Sequence, residues 1–440
     1  MGQVIRKIKK AIKPLMPQWI IDLKKTIDKQ ILLYRVKQFQ SRYPKILDRI
    51  RKKEKIKVAF FMIHCSMWKC DKLFQLMLAD DKFEPIIVIC PSIDFGEDAM
   101  IESFRRSEEF VKLRKYPYVM TLNFQTGEWL DVKRETKPDI IFFTSPYRGI
   151  TRKEYYILNY TDSLTCYVPY SIGDHHRLNI SHNQALHNLL WKLFAETDIH
   201  KQFAIDVALN KGVNVITTGA PGADIYLDKD YTPKNSWKGS EKKQLKKIIW
   251  APTFATDRNM SSRLTVSSFF AYSDYMLELA TKYKDEVQFS FKPHPVLKPI
   301  LYAHADWGQA KTDNYYSSWN SLENTQLEEG EYGDLFLTSD AMIHDCGTFL
   351  IEYLYVDKPV LRTNRNASIT DGLNKFGIMA YNMHYHAWTK EDIDSFVKNV
   401  IEGIDEMREE REQFKQEHLL PPNNQSATNN IFNEIKNALK

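Results

Sequence analysis

Apolar positions along this chain follow two rhythms. In the first 55 residues they recur every three or four places, at Ile5, Ile8, Ile12, Leu15, Trp19, Leu23 and Ile27, which lines one helical face. Pro14 and Pro17 interrupt that stripe, so it predicts one or two amphipathic helices. From Lys57 onward, short continuous apolar runs alternate with amphipathic stretches. The runs predict strands at 57–64 (KVAFFMIH), 84–90 (EPIIVIC), 139–146 (DIIFFTSP), 164–170 (LTCYVPY) and 213–221 (VNVITTGAP). Helices are expected between them, at 67–79, 99–113, 183–194 and 199–210. Unbroken rather than alternating hydrophobicity marks strands covered on both faces, as in a parallel sheet, and the alternation reads as a βαβ series.

A lysine-rich polar stretch, 227–246, is the best linker candidate. The alternation then resumes with strands at 246–254, 287–295, 335–345 and 358–364 and helices near 265–283 and 348–356. Residues 301–333 read as a polar, aromatic loop, and 389–440 as closing helices broken by LPPNNQSATNN. The expected fold is α/β, two Rossmann-like doubly wound domains facing a cleft, with a basic amphipathic helical arm at the N-terminus. The boundaries are 1–55 for the arm, 56–235 for the first Rossmann-like domain, 240–400 for the second and 401–440 for the closing helices. In such folds ligands bind where loops leave the carboxyl ends of strands.

The composition, 43% hydrophobic and 27% charged over 440 residues, is that of a folded globular protein. No apolar run approaches the roughly 20 residues of a membrane span, and no secretory signal is recognisable; a cytoplasmic location is expected. Five cysteines without CxxC spacing are expected to be reduced core residues. Charge changes the picture more. Residues 1–55 hold 17 Lys/Arg against 4 Asp/Glu, a net +13, whereas the whole chain carries +5, leaving −8 for the other 385. A basic helix with an apolar stripe predicts docking on an anionic membrane surface, with Trp19 in the acyl boundary. The plainer alternative is an arm packed on the body with its basic face in water. The acidic remainder and the lack of RNP or zinc-finger patterns argue against nucleic acid.

Four predicted strand ends carry polar clusters suited to chemistry. FKPHP places Lys292 and His294 on a proline-stiffened strand end, a cation and an imidazole suited to a phosphate. In 339–361, the turn Cys346, Gly347, Thr348 opens a helix, where backbone N–H groups and the Thr348 hydroxyl suit a diphosphate and Glu352 a ribose; the plain reading is a helix capped by Thr348. APTFATDR places Thr253 and Arg258 at a third end, with Arg258 as an anion clamp. YVPYSIGDHHRL places Asp174, His175, His176 and Arg177 after a first-domain strand; one histidine, oriented by Asp174, is a candidate base. His64, at the end of the first strand, is a further candidate. No set of metal ligands is apparent, so no metal or other cofactor is expected. The P-loop, GxGxxG and GxSxG patterns are absent from the sequence, which disfavours P-loop kinases, dinucleotide dehydrogenases and α/β hydrolases.

Over roughly 164–400 the ordered motifs resemble the CDP-glycerol:poly(glycerophosphate) glycerophosphotransferases, teichoic-acid and capsule polymer enzymes of GT-B fold. TTGAPGADIYL resembles the family's G-x-P-R-x-D segment through Gly219, Pro221 and Asp224; APTF, FKPHP and the 339–361 stretch resemble its A-P-T-F, K-P-H-P and S-D-x-x-I-x-D-Y-S-S motifs. The departures are specific. The family's W-H-G histidine, its expected base, aligns with Pro169, Tyr170 and Ser171, leaving His175 or His176 as substitutes. The arginine of G-x-P-R is Gly222, that after P-T-F is Ala255, and the paired serines are Cys346 and Gly347.

The resemblance implies a peripheral transferase on the cytoplasmic face of the bacterial plasma membrane. It would move a glycerol- or ribitol-phosphate from a CDP-activated donor to a lipid-linked or polymeric acceptor hydroxyl, releasing CMP. Lys292, His294, Arg258 and the 347–348 turn would hold the diphosphate, and Asp174 with His175 or His176, or His64, would activate the hydroxyl. A nucleotide-sugar glycosyltransferase of the same fold and a catalytically degenerate scaffold are the alternatives; self-association is left open.

Overall fold

The computed structural model describes residues 17–94, 96–239, 245–254, 267–365 and 367–440. Ile5, Ile8, Ile12, Leu15 and Arg258 lie outside them. In the first lobe, β1 (Ile56–Met62), β2 (Phe83–Ile89), β3 (Tyr118–Met120), β4 (Ile140–Phe143), β5 (Leu164–Tyr167), β6 (Lys192–Ala195) and β7 (Val215–Thr217) form a sheet in the order β3-β2-β1-β4-β5-β6-β7. In the second, β8 (Lys246–Ala251), β9 (Val287–Phe291), β10 (Thr325–Leu327), β11 (Ala341–His344), β12 (Val360–Thr363) and β13 (Tyr385–Ala387) follow the order β10-β9-β8-β11-β12-β13. These strands pair in parallel within both sheets. Inner strands such as β4, β9 and β11 are buried on both faces, which is why their sequences read as unbroken apolar runs. Each strand order reverses once, between β1 and β4 and between β8 and β11, and ligands bind at such reversals. The fold is the expected α/β pair of doubly wound lobes.

Several elements differ from the sequence pattern. Residues 183–194, expected as one helix, hold Ala185–Leu189 and then β6, because a short run buried on all sides carries no distinguishing period. The expected strand 335–345 splits into a helix, Gly333–Thr338, and β11. The expected loop 301–333 contains helix Gly308–Ser321, whose buried face is Thr312, Tyr315, Tyr316 and Trp319 rather than aliphatic, and then β10. The helix expected over 348–356 is α-helical only at Phe349–Glu352 and tightens to a 3₁₀ turn over Tyr353–Val356.

Helix Gln18–Arg51 packs its second half on the first lobe through Val36, Phe39, Tyr43, Ile46 and Ile50, while Trp19, Leu23, Ile27 and Ile31 are exposed. At about 100° per residue the exposed stripe lies on roughly the opposite face from the packed one. The closing helices also divide. Ile431, Ile435 and Leu439, at the chain's end, are buried in the first lobe's core, so helix Ala427–Ala438 returns to the domain where the sheet began. Asp224 anchors it, its buried carboxylate accepting the N–H groups of Ala427 (2.8 Å) and Thr428 (2.9 Å).

Candidate functional site

At the carboxyl end of β8, the Thr253 N–H donates to Asp345 Oδ1 (2.5 Å), while Ser268 donates to Oδ2 through its hydroxyl (2.8 Å). The buried Asp345 thus ties the ends of β8 and β11 to the start of helix Phe269–Lys282; burial holds its carboxyl above the usual range despite those donors. After β9, the Lys292 ammonium donates to the Gly330 carbonyl (2.7 Å) and lies 5.8 Å from the Tyr332 ring. Burial pulls its pKa down, against the pull of Glu328 and Glu329. His294 Nδ1 accepts the Val296 N–H (3.1 Å) and its ring meets Phe254 (4.5 Å). Burial, then the Lys292 charge, pushes His294 down to about 4, so at neutral pH it is a neutral ring with its proton on Nε2, a donor for a phosphoryl oxygen.

The turn after β11 is shared by the two lobes. Asp174 Oδ2 lies 3.3 Å from where a Cβ on Gly347 would stand. Behind the turn, the buried Arg362 of β12 donates through Nη1 to the Cys346 carbonyl (3.4 Å), and its Nε has no hydrogen-bond partner among the described residues. Burial lifts the Asp174 carboxyl to about 6, and the Arg362 charge opposes that rise. The turn's N–H groups are less available than the motif suggests: those of Phe349 and Thr348 face the Cys346 sulfur, whose thiol burial nonetheless pushes up to about 11. Thr348 is exposed and, among the described residues, makes no side-chain cap.

The loop bearing Asp174 is fastened to the second lobe. Its carbonyl accepts the Asn374 N–H (2.7 Å), Asn374 Nδ2 donates to the Gly173 carbonyl (2.9 Å), and the His176 N–H donates to Gly372 (3.0 Å). A Cβ at Gly377 would stand 2.5 Å from the Asp174 carbonyl oxygen, so glycine is what lets helix Lys375–Tyr381 approach this closely.

A second interlobe junction surrounds Glu352. The Tyr332 hydroxyl donates to Glu352 Oε2 (2.9 Å), and Lys69 Nζ, from the first lobe, reaches the Tyr332 hydroxyl (3.1 Å) and Glu352 Oε1 (3.5 Å). Burial works against the Lys69 charge, but the Glu352 carboxylate beside it holds its pKa above the ordinary range. Lys292 and Glu352, from different motifs, therefore meet at Tyr332.

His175 and His176 stack on one another (4.5 Å) at the surface end of this loop; His175 Nδ1 accepts the Arg177 N–H and His176 Nδ1 is 2.9 Å from the Gly372 carbonyl. Among the described residues Asp174 makes no hydrogen bond to either ring; the Arg362 guanidinium is the charge that bears most on it. His64 lies at the end of β1, with Nδ1 3.0 Å from Ser103 Oγ. Lys69, Tyr332, Asp345, Arg362 and Asn374 escaped the sequence reading. Asp345 carried a signal, since it ends an apolar strand inside a recognised motif; Lys69 and Arg362 looked like ordinary surface and strand cations.

Three comparisons bear on this geometry. The pattern of the CDP-glycerol:poly(glycerophosphate) glycerophosphotransferase family matches residues 192–436. No curated protein matches the chain by sequence. Among solved structures, the wall teichoic acid polymerase TagF is similar at 12% identity, covering 95% of this chain and 98% of its own, with a TM-score of 0.57. UDP-GlcNAc 2-epimerase from Neisseria meningitidis bound to UDP-GlcNAc is similar at 15% identity, covering 88% and 99%, with a TM-score of 0.52. The S. aureus MnaA–UDP complex gives 15%, 87%, 97% and 0.53. At these identities the structural matches establish the two-lobed fold alone.

Proposed function

The chain belongs to the CDP-glycerol:poly(glycerophosphate) glycerophosphotransferase family, and on that premise we propose that it moves a polyol phosphate from a CDP-activated donor to an acceptor hydroxyl of a teichoic-acid-like cell-surface polymer. The observation that carries this reading is the close approach of Asp174, from one lobe, to the Gly347 turn of the other, within the influence of the Arg362 charge. In the reaction the acceptor oxygen attacks the polyol-side phosphorus, the bond to the bridging oxygen breaks, and CMP leaves with the electron pair. The hydroxyl proton passes to Asp174, which takes the place of the missing W-H-G histidine; His175, His176 and His64 are secondary candidates. Lys292, the Nε2–H of His294 and Arg258 grip the phosphates, and Glu352 receives the ribose; Thr253 and the Gly347–Thr348 turn border the donor. Positioning and fixed charge supply most of the catalysis in phosphoryl transfer.

The exposed Trp19, Leu23, Ile27 and Ile31 stripe, among the lysines of helix Gln18–Arg51, supports docking on the cytoplasmic membrane face, next to a lipid-linked acceptor. The test is product analysis with labelled CDP-glycerol, CDP-ribitol and a panel of UDP-sugars on a lipid-linked acceptor. CMP release that falls about 100-fold in His294→Ala is expected. Release of UDP alone overturns the reading in favour of a glycosyltransferase, and turnover unchanged in His294→Ala removes that residue from the site.

A further inference from the structure

Lys69 belongs to none of the motifs, yet it enters the second lobe's subsite. A Cβ built on Gly222 would stand 2.9 Å from Lys69 Cδ and 3.6 Å from its Cγ and Cε, so the lysine stem runs through the space a side chain at 222 would take. Gly222 is not among the glycines of positive φ, so its backbone does not itself demand glycine. The ammonium this stem delivers lies 5.4 Å from the Tyr332 ring, with Lys292 from the second lobe 5.8 Å from the same ring. Glu352 is the carboxylate between the lobes, 3.5 Å from Lys69. Two cations, one from each lobe, thus face one aromatic ring, Lys69 with Glu352 as its partner and Lys292 on the Gly330 carbonyl, an arrangement that a diphosphate entering beside Tyr332 would engage from both sides.

We propose that Lys69 is a donor-binding residue that clamps the nucleotide diphosphate from the first lobe, using the space left open by Gly222. The proposal rests on the donor reading above. It also accounts for one departure from the family's G-x-P-R segment: the cation absent at position 222 is delivered to the same place from position 69.

The experiment compares wild type, Lys69→Met, Lys69→Arg, Lys69→Ala, Gly222→Arg and the Lys69→Ala/Gly222→Arg double variant. KM and kcat for CDP-glycerol are measured along with the affinity for CDP and UDP by calorimetry, and unfolding midpoints monitor the fold. Lys69→Met is expected to raise the donor KM and weaken CDP binding about 10-fold, with kcat changed about 3-fold or less, the worth of one charge-assisted contact. Lys69→Arg should stay within about 3-fold of wild type. Gly222→Arg alone should bind donor worse than wild type because its side chain overlaps Lys69, and the double variant should recover most of the loss of Lys69→Ala. Unchanged KM and CDP affinity in Lys69→Met overturn the proposal, as does a folded double variant no better than Lys69→Ala. If wild type releases no CMP from CDP-glycerol, the functional reading fails while calorimetry still decides Lys69: about 10-fold weaker nucleotide binding in Lys69→Met supports it, and equal affinity overturns it. Absence of any CDP or UDP binding to wild type overturns both.

Discussion

Asp174→Asn should cut turnover by orders of magnitude while making the protein more stable. The carboxyl is lifted from 3.8 to about 6 by burial, with Arg362 opposing. A shift of about two units is worth about 3 kcal/mol, an upper bound because neighbours relax and water enters. The sign follows from linkage. A carboxyl raised above its unfolded value binds its proton more tightly when folded, so its contribution favours folding at low pH and is lost as pH rises from about 4 through about 6. At pH 7 about nine-tenths of Asp174 is ionised, ready to take a proton but costly to bury; at pH 5 only about a tenth is. CMP release should therefore fall about 10-fold between pH 7 and pH 5, with unit slope below pH 6. Asparagine removes the proton acceptor and the burial cost together. We expect kcat about 10²- to 10⁴-fold lower, no acidic limb in what activity remains, and an unfolding midpoint above wild type at pH 7 by a few degrees, a gain that shrinks toward pH 4. Calorimetry and stopped-time CMP assays across pH 4–8 measure both. Retained kcat, or a variant less stable than wild type at pH 7, would refute the assignment.

Other consequences are equally concrete. Gly377→Ala places a methyl 2.5 Å from the Asp174 carbonyl; although alanine favours a helix by about 1 kcal/mol, it should lower kcat about 10-fold or more by displacing the loop, and a more stable, fully active variant would contradict the geometry. Asp224→Ala leaves the buried N–H groups of Ala427 and Thr428 without their acceptor, at a cost of about 2–4 kcal/mol. Faster hydrogen exchange across 427–438 checks this, and unchanged protection would show that the helix docks without the cap. Replacing Trp19, Leu23 and Ile27 by serine should weaken binding to anionic liposomes about 10-fold or more while leaving soluble-donor binding intact; undiminished liposome binding would remove this stripe from the membrane role.

Much of the architecture could be read from composition order alone. Strands such as IIFF at 140–143 are buried on both faces, so their unbroken apolar runs announce a parallel sheet, and the alternation announces its crossovers. The motif residues at those strand ends, Lys292, His294 and Gly347, were legible for the same reason: a strand that ends in the crevice delivers the next residue there. Helix Gly308–Ser321 was not, because its buried face is aromatic and polar and so resembles a loop.

What the chain order determined, then, was two doubly wound lobes, a basic arm and a row of polar strand ends. Only the tertiary structure decided which of these groups meet. Asp174 lies against the Gly347 turn, Lys69 reaches Glu352, and Asp224 holds a helix some 200 residues away through bonds to 427 and 428. Each pairing joins residues far apart along the chain, and no local spacing records it. Secondary structure follows short-range periodicity, but protonation, charge balance and proton transfer depend on distances set when one lobe packs against the other.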